Sequence, residues 1–305
     1  MKKVLLIQFV TKLIEQLKLE QRYGTAHVYQ STMNRLVRFS KGEKIYFSQL
    51  SPEWLRKFQN HLLENQLAWN TISTYMRMLR SIYNQAVVCG LAPYVPYLFS
   101  KVHTGIDSPV KRAVSPDTMR RLIMESEKLS SAEIFSRDMF VLLFLLRGMP
   151  FVDLAYLRKC DLQGNVIIYH RRKTGRKLTV AVGKEAMAII RKYVDINPAS
   201  PYLLPIIAHS GEDEYRQYTR TLRTVNYHLS RIMASMRLRE ALSTYVARHT
   251  WATTALRQNH NSNLICDAMG HSSVKVTETY FQRFRQDEVN RLNNSVISYI
   301  LSWKS

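Results

Sequence analysis

Cysteine and long apolar runs are both scarce in this sequence. The 305 residues include three cysteines at unrelated spacings and no Cys-x-x-Cys pair, so neither a disulfide framework nor a cysteine zinc site is indicated. The longest uninterrupted apolar run, 139–146, is far short of the ~20 residues that cross a bilayer. We therefore expect a protein of the reducing cytoplasm, with no metal site and no membrane contact.

Acidic side chains are scarce as well. Against 44 lysine and arginine residues there are 23 aspartate and glutamate residues, and the formal net charge is +21. The excess is +9 in residues 1–105 and +12 in residues 106–305, so it is not confined to a tail. Two basic domains suit a clamp that grips nucleic acid from two sides. The alternative is a protein whose surface is basic for other reasons.

The first hundred residues show helical periodicity with turn signals between the helices. Ser51 and Pro52 are typical of an N-cap and a first helical position. On the fourth predicted helix Arg77 and Arg80 lie off the apolar face, so they are candidates for phosphate contact, and a solvated surface is the alternative. The four predicted helices cover residues 3–20, 25–40, 52–66 and 71–89.

Periodicity weakens after residue 90 and resumes at residue 116, with prolines and a glycine between. We place a helical domain at 1–100, a linker at 101–112 and a second domain at 113–305. In the second domain we expect helices at 116–129, 136–147, 151–158 and 287–303, a turn at 148–150 and a β-hairpin within 166–182. The predicted fold is mainly α with a small β-hairpin.

Positive charge is concentrated at the tip of the predicted hairpin. Five cations occur within seven residues, in the order Arg171, Arg172, Lys173, Arg176 and Lys177. On a short loop they could enter a DNA groove or flank a phosphate. A solvated basic turn is the alternative for this segment taken alone.

A second candidate segment reads Tyr245-Val-Ala-Arg248-His249-Thr-Trp251. On a helix, Tyr245 and Arg248 are three residues apart and share a face. Both can donate to one anion, and an arginine offers a planar fork that matches phosphate oxygens. The alternative is a surface arginine beside a half-buried tyrosine.

The strongest pattern runs from Met269 to Tyr280 and reads Met-Gly-His-Ser-Ser-Val-Lys-Val-Thr-Glu-Thr-Tyr. It resembles the signature of the tyrosine recombinase (phage integrase) family, in which Leu-Gly-His precedes a nucleophilic tyrosine at this spacing. The basic hairpin and the Arg-His-Thr segment come before it in the family's order. The resemblance covers nearly the whole chain. It implies a helical, SAM-like core-binding domain followed by a mixed α+β catalytic domain.

The resemblance also implies roles for individual residues. Tyr280 would be the nucleophile, Arg248 the second catalytic arginine and His271 the histidine of the third conserved segment. Lys173 would be the hairpin lysine and general acid, while Asp153 would support the site. Arg77, Arg80, Arg171, Arg172 and Arg176 are the candidates for further DNA contacts.

The implied activity is site-specific DNA recombination through a 3′-phosphotyrosine, without a cofactor or a metal. Its implied partners are double-stranded DNA with specific recombination sites, a homotetramer on synapsed DNA that passes through a Holliday junction, and accessory DNA-bending proteins. The helix at 287–303 would then be exchanged between subunits. Such a protein acts in the cytoplasm, on the nucleoid. Inversion, integration and excision stay open.

The sequence departs from the family pattern at two positions. Gly148-Met149-Pro150 stands where Gly-Leu-Arg is usual, and Tyr245 stands where a histidine is usual. In both respects it resembles the Bacteroidetes-type recombinases and invertases. Arg147, one helical turn before Pro150, is the sequence-based candidate to replace the missing arginine, and a cation that merely caps its helix is the alternative.

Two other functions fit parts of this pattern. A type IB topoisomerase uses similar chemistry, although its architecture fits less well. A degenerate recombinase that only binds DNA as a regulator is suggested by the two departures.

Overall fold

The computed structural model describes residues 4–105, 113–124, 129–195, 197–208, 213–238, 240–271, 273 and 286–301. The chain divides into two compact units, 1–109 and 110–305. Each unit has its own hydrophobic core.

The first unit is helical where it is described. Its helices are α1 Leu6–Leu19, α2 Tyr23–Phe39, α3 Pro52–Glu64 and α4 Trp69–Val88. They match the four predicted helices within four residues at every end. The predicted N-cap at Ser51 is confirmed, because its hydroxyl accepts a hydrogen bond from the Trp54 N–H at 3.1 Å.

The apolar face of α4 lies at the centre of this first core. Ile72, Met76 and Leu79 are fully buried there, since residues three and four apart lie on one face of a helix. Val102 is also buried in this core, although it falls in the predicted linker; the rest of that linker lies mostly outside the described residues.

The second unit contains both helices and strands. Its elements are α5 Pro116–Met124, α6 Ser131–Leu145, α7 Phe151–Ala155, β1 Leu162–Gln163, β2 Val166–His170, β3 Lys177–Ala181, α8 Lys184–Tyr193, α9 Glu214–Ser235, α10 Thr244–Arg257, α11 Ser262–Met269 and α12 Gln286–Leu301. Helix α6 packs against α5, α8, α9 and α10, so it forms the centre of the second core.

Helix α6 begins five residues before its predicted start. Ser130 and Glu133 form a capping box, in which the Glu133 carboxylate accepts from the Ser130 N–H at 3.0 Å. The helix ends at Leu145, before the predicted end at 147. Arg147 and Gly148 both have positive φ angles, +58° and +67°, and this left-handed pair reverses the chain.

The predicted hairpin is present and has a third strand. The sheet has the order β1-β2-β3, and all pairs are antiparallel. On β2 the side chains of Ile167 and Tyr169 are buried, as alternation along a strand requires. Pairing extends to His170 opposite Lys177, so the segment 171–176 forms the hairpin tip. No helix among the described residues is long and apolar enough to cross a membrane.

Candidate active site

The turn that follows α6 lies directly against helix α10. A Cβ atom added to Gly148 would come within 2.9 Å of the Arg248 Cα atom, a backbone position. Glycine is therefore required for two reasons, its positive φ and this close approach. The Gly148 carbonyl accepts a hydrogen bond from Arg248 Nη1 at 2.6 Å, so the turn helps to fix the arginine.

Arg248 is held from three directions. Besides the bond to Gly148, its Nη2 donates to the Met269 carbonyl at 2.8 Å and lies 2.6 Å from His271 Nε2. An arginine nitrogen can only donate, so His271 Nε2 is the acceptor in this contact. Both side chains are buried. The pair predicted from the two separate sequence segments is thus brought together.

The segment that carries His271 follows α11 through a left-handed glycine. Gly270 has φ +63° and caps the helix. Arg176 Nη1 donates to the His271 carbonyl at 3.0 Å, and its Nη2 pairs with Asp267 at 3.0 Å. The hairpin tip therefore holds the histidine segment from outside. This anchoring is a role that the sequence did not predict for Arg176, in addition to the predicted DNA contact.

Arg171 lies inside the unit, although the sequence suggested a surface cation on the hairpin. Its side chain is 7% exposed. Nε donates to Asp153 Oδ2 at 3.3 Å, and Nη1 donates to the carbonyls of Met269 at 3.2 Å and Gly270 at 2.9 Å. The alternation of β2 continues one residue past its end, where the Arg171 N–H donates to the Arg176 carbonyl at 2.9 Å, so residues 167, 169 and 171 point to the same face.

Asp153 on α7 is the carboxylate that receives this arginine. Its Oδ1 also accepts from the backbone N–H of Arg172 at 3.0 Å. Burial raises the pKa of Asp153 above its ordinary value, against that hydrogen bond and the charges of Arg171 and Arg248. These contacts join α7 to the hairpin, and the supporting role that the family resemblance implies for Asp153 stays a prediction.

The remaining hairpin cations differ from one another in their surroundings. The guanidinium carbon of Arg172 lies 3.7 Å from the centre of the Tyr156 ring, a cation-π contact. Burial raises the pKa of Tyr156 to about 12, although the charge of Arg172 works against it. Lys173 is exposed at the tip, where its ammonium group is accessible to a ligand.

Two predicted residues lie at the margin of the cluster. Tyr245 is 52% exposed in the first turn of α10, and its ring lies 4.8 Å from that of His249 in an edge-to-face contact. Arg147 Nη1 donates to the Thr179 carbonyl on β3 at 3.4 Å. Burial raises the pKa of the neighbouring Tyr169, and the positive charges of Arg171, Arg248 and Arg147 act in the opposite direction.

Three further predicted residues belong to the first unit or fall outside the described residues. Tyr280 falls outside the described residues. Arg77 and Arg80 belong to the first unit, where they line a groove of about 920 Å³ between α1 and α4. Among the described residues, no group of three or more histidine, cysteine or acidic side chains could hold a metal ion.

Family comparisons agree in both halves of the chain. Residues 5–102 match the phage integrase SAM-like domain, and residues 112–287 match the phage integrase family. The tyrosine recombinase XerC of Leptospira interrogans is 25% identical over 278 residues, which cover 88% of this chain and 86% of the relative. The tyrosine recombinase XerD of Rhizobium meliloti is 24% identical, with 84% of both chains covered.

Solved structures show the same fold. The Tn1549 transposon integrase, in complex with a circular intermediate DNA, matches with a TM-score of 0.67 at 14% identity, over 95% of this chain and 99% of that one. A lambda integrase tetramer bound to a Holliday junction matches with a TM-score of 0.65 at 13% identity, over 93% and 80% of the two chains. With family models matching both halves, the chain belongs to the phage integrase family of tyrosine recombinases.

Proposed function

We propose that this chain, a site-specific DNA recombinase by its family, cleaves and rejoins DNA through a 3′-phosphotyrosine formed on Tyr280. The observation that carries the assignment of the site is the buried contact of 2.6 Å between Arg248 Nη2 and His271 Nε2. Two segments that are 23 residues apart in sequence meet there, and both belong to the family signature.

The chemistry requires an in-line nucleophile, positive charge at the phosphorus and a proton for the departing oxygen. The Tyr280 oxygen forms a bond to phosphorus while the bond from phosphorus to the 5′ oxygen breaks. A free tyrosine has a pKa of ~10, so its proton must be accepted during the attack. His271 is our candidate base, as the family resemblance suggests. Attack by a 5′ hydroxyl of the partner DNA reverses the step and needs no ATP.

The other proposed roles follow from where the side chains lie. Arg248 binds a non-bridging oxygen, since its guanidinium stays charged at every working pH. Lys173, exposed at the hairpin tip, protonates the departing 5′ oxygen. Tyr245 donates a neutral hydrogen bond from the exposed first turn of α10. Arg147 is the sequence-based candidate for the missing cation.

DNA binding by both units is part of this proposal. Arg77 and Arg80 supply phosphate contacts from the first unit, and Arg172 and Arg176 supply them from the hairpin of the second. The lambda integrase tetramer bound to a Holliday junction supports a homotetramer on synapsed DNA. The exposed apolar side chains of α12 support the exchange of this helix between subunits. Accessory DNA-bending proteins are proposed as further partners, and the nucleoid in the cytoplasm as the place of action. The domain limits 1–100 and 113–305, with the linker between them, are proposed on the same family basis.

The decisive experiment uses a nicked suicide substrate with the native recombination site. Tyr280→Phe should abolish the denaturant-resistant protein–DNA adduct and leave site binding within about twofold, because the ring is kept and only the nucleophilic oxygen is lost. Tyr227→Phe is the matched control, since Tyr227 is a 60% exposed tyrosine of the same unit on α9. An adduct formed by Tyr280→Phe would remove Tyr280 from this role.

The two alternative functions are not favoured by the comparisons, and the same materials test them directly. A type IB topoisomerase would relax a supercoiled plasmid that contains no recombination site. A DNA-binding regulator would bind the site and give no adduct with the wild-type chain.

A further inference from the structure

Two buried guanidinium groups converge on a single backbone oxygen. Arg248 Nη2 lies 2.8 Å from the Met269 carbonyl oxygen, and Arg171 Nη1 lies 3.2 Å from the same atom. The two nitrogens are therefore no more than 6.0 Å apart, the limit set by the two distances. The two guanidinium groups are therefore close enough for both to reach one phosphate group, because each hydrogen bond spans ~2.9 Å.

We propose that Arg171 supplies the second guanidinium at the scissile phosphate and so takes the place of the arginine missing from 148–150. This inference rests on the function proposed above. A pentacoordinate phosphorus gains negative charge on its non-bridging oxygens as the nucleophile attacks. Two preorganised guanidinium groups stabilise that charge better than one. Arg248 and Arg171 are the two that the structure holds together.

The anchoring of Arg171 ties it to the helix that directly follows the position of the missing residue. Its Nε is bound by Asp153 on α7, which starts directly after Pro150. The Arg171 side chain thus extends from the hairpin to α7, next to residues 148–150. Held by Asp153 on one side and by Met269 and Gly270 on the other, the guanidinium has few alternative positions, as preorganisation requires.

Gly270 makes the path of this side chain possible. A Cβ atom at residue 270 would lie 2.9 Å from Arg171 Cδ and 2.7 Å from Leu178 Cδ1. Arg147 contacts a different element, because its Nη1 donates to the Thr179 carbonyl on the edge strand β3 at 3.4 Å. Geometry therefore favours Arg171 over the candidate that the sequence suggests.

The test compares two substrates that differ in one charge. Single-turnover cleavage is measured on a suicide substrate with a normal scissile phosphodiester and on one with a neutral methylphosphonate at that position. Arg171→Ala should cleave the phosphodiester ~10²–10³ times more slowly than wild type, comparable with the loss of one oxyanion donor. On the methylphosphonate the two proteins should differ by less than about tenfold, since the charge that Arg171 neutralises is absent. A purely structural arginine would slow both substrates equally, and that result would overturn the proposal.

A second variant covers the case in which Arg171→Ala does not fold. Arg171→Met combined with Asp153→Asn removes both charges of the buried pair and leaves no unpaired ion, so folding should persist. It should show the same dependence on the substrate. Arg191→Ala on α8, an exposed arginine of the same unit, should behave as wild type on both substrates.

The rival assignment is tested in the same series. If Arg147→Ala shows the charge-dependent loss and Arg171→Ala shows a loss that is equal on both substrates, Arg147 is the missing cation and the proposal for Arg171 is wrong. Formation of the wild-type adduct on the phosphodiester is established first with Tyr280→Phe as its negative control. Failure of the proposed function is therefore separated from failure of this inference.

Discussion

Replacing Gly148 by alanine measures how tightly the turn after α6 is packed against Arg248. The substitution has two costs. A left-handed conformation costs an L-residue ~1–2 kcal/mol, and a Cβ at 2.9 Å from the Arg248 Cα atom adds an overpacking cost of ~1–3 kcal/mol. Gly164→Ala is the matched control, because Gly164 has φ +60° and a Cβ there would meet nothing within 4 Å.

The two variants should separate in both stability and activity. For a unit of this size 1 kcal/mol corresponds to ~2–4 °C in Tm. Gly164→Ala should therefore lower Tm by ~2–8 °C, and Gly148→Ala should lower it by a further ~2–12 °C. Displacing Arg248 from the Gly148 carbonyl, now at 2.6 Å, should also slow single-turnover cleavage at least ~10-fold, or ~1.4 kcal/mol in the barrier.

Equal losses in the two glycine variants would refute this reasoning. They would mean that the turn moves away from α10 without strain, and that the position of Arg248 does not depend on Gly148. Thermal denaturation followed by circular dichroism and cleavage of the suicide substrate below both transitions are the two measurements.

Two further predictions concern acid stability and assembly. Burial opposes ionisation of Asp138, but hydrogen bonds from Lys192, Arg137 and Tyr193 outweigh it and lower its pKa. The ionised Asp138 therefore stabilises the fold fully above the unfolded-state pKa of ~3.9. This stabilisation is lost as the pH falls through the lowered pKa of the folded state. Urea midpoints between pH 5 and pH 3 should fall more steeply for wild type than for Asp138→Asn, and parallel curves would contradict this. Val296, Ile297 and Leu301 of α12 are exposed apolar side chains that a second subunit could cover. Deleting 287–305 should therefore keep binding to a single site and remove synapsed complexes on native gels. Unchanged synapsis would show that α12 is not the exchanged element.

Periodicity predicted the four helices of the first unit to within three residues at each end, because their apolar faces are regular. Bounds were not predicted for α8, α9 and α11 of the second unit. The start of α6 was missed for a local reason. Ser130 and Glu133 have the Ser-x-x-Glu spacing of a capping box. Both residues are polar, so the spacing of apolar residues does not reveal this helix start. The end of α6 was missed because Arg147 adopts a positive φ, which non-glycine residues rarely do.

The site was predicted to the extent that its residues belong to separate, recognisable segments. Arg248 and His271 could be chosen from the sequence, and the structure brings them into contact. Their anchors could not be chosen, because the Gly148 and Met269 carbonyls are backbone atoms and have no residue signature. Arg171 was one of five neighbouring cations, and charge alone does not distinguish a buried arginine from an exposed one.

Strand alternation would have distinguished Arg171 from its neighbour Arg172. Ile167 and Tyr169 occupy the core face of β2, and the next position on that face is residue 171. A cation at this position is expensive to bury unless a carboxylate meets it. Asp153 meets that need, and it stands three residues after Pro150, where the usual arginine is missing. Asp153 thus has a buried cation at residue 171 as its partner, although 148–150 carries no cation.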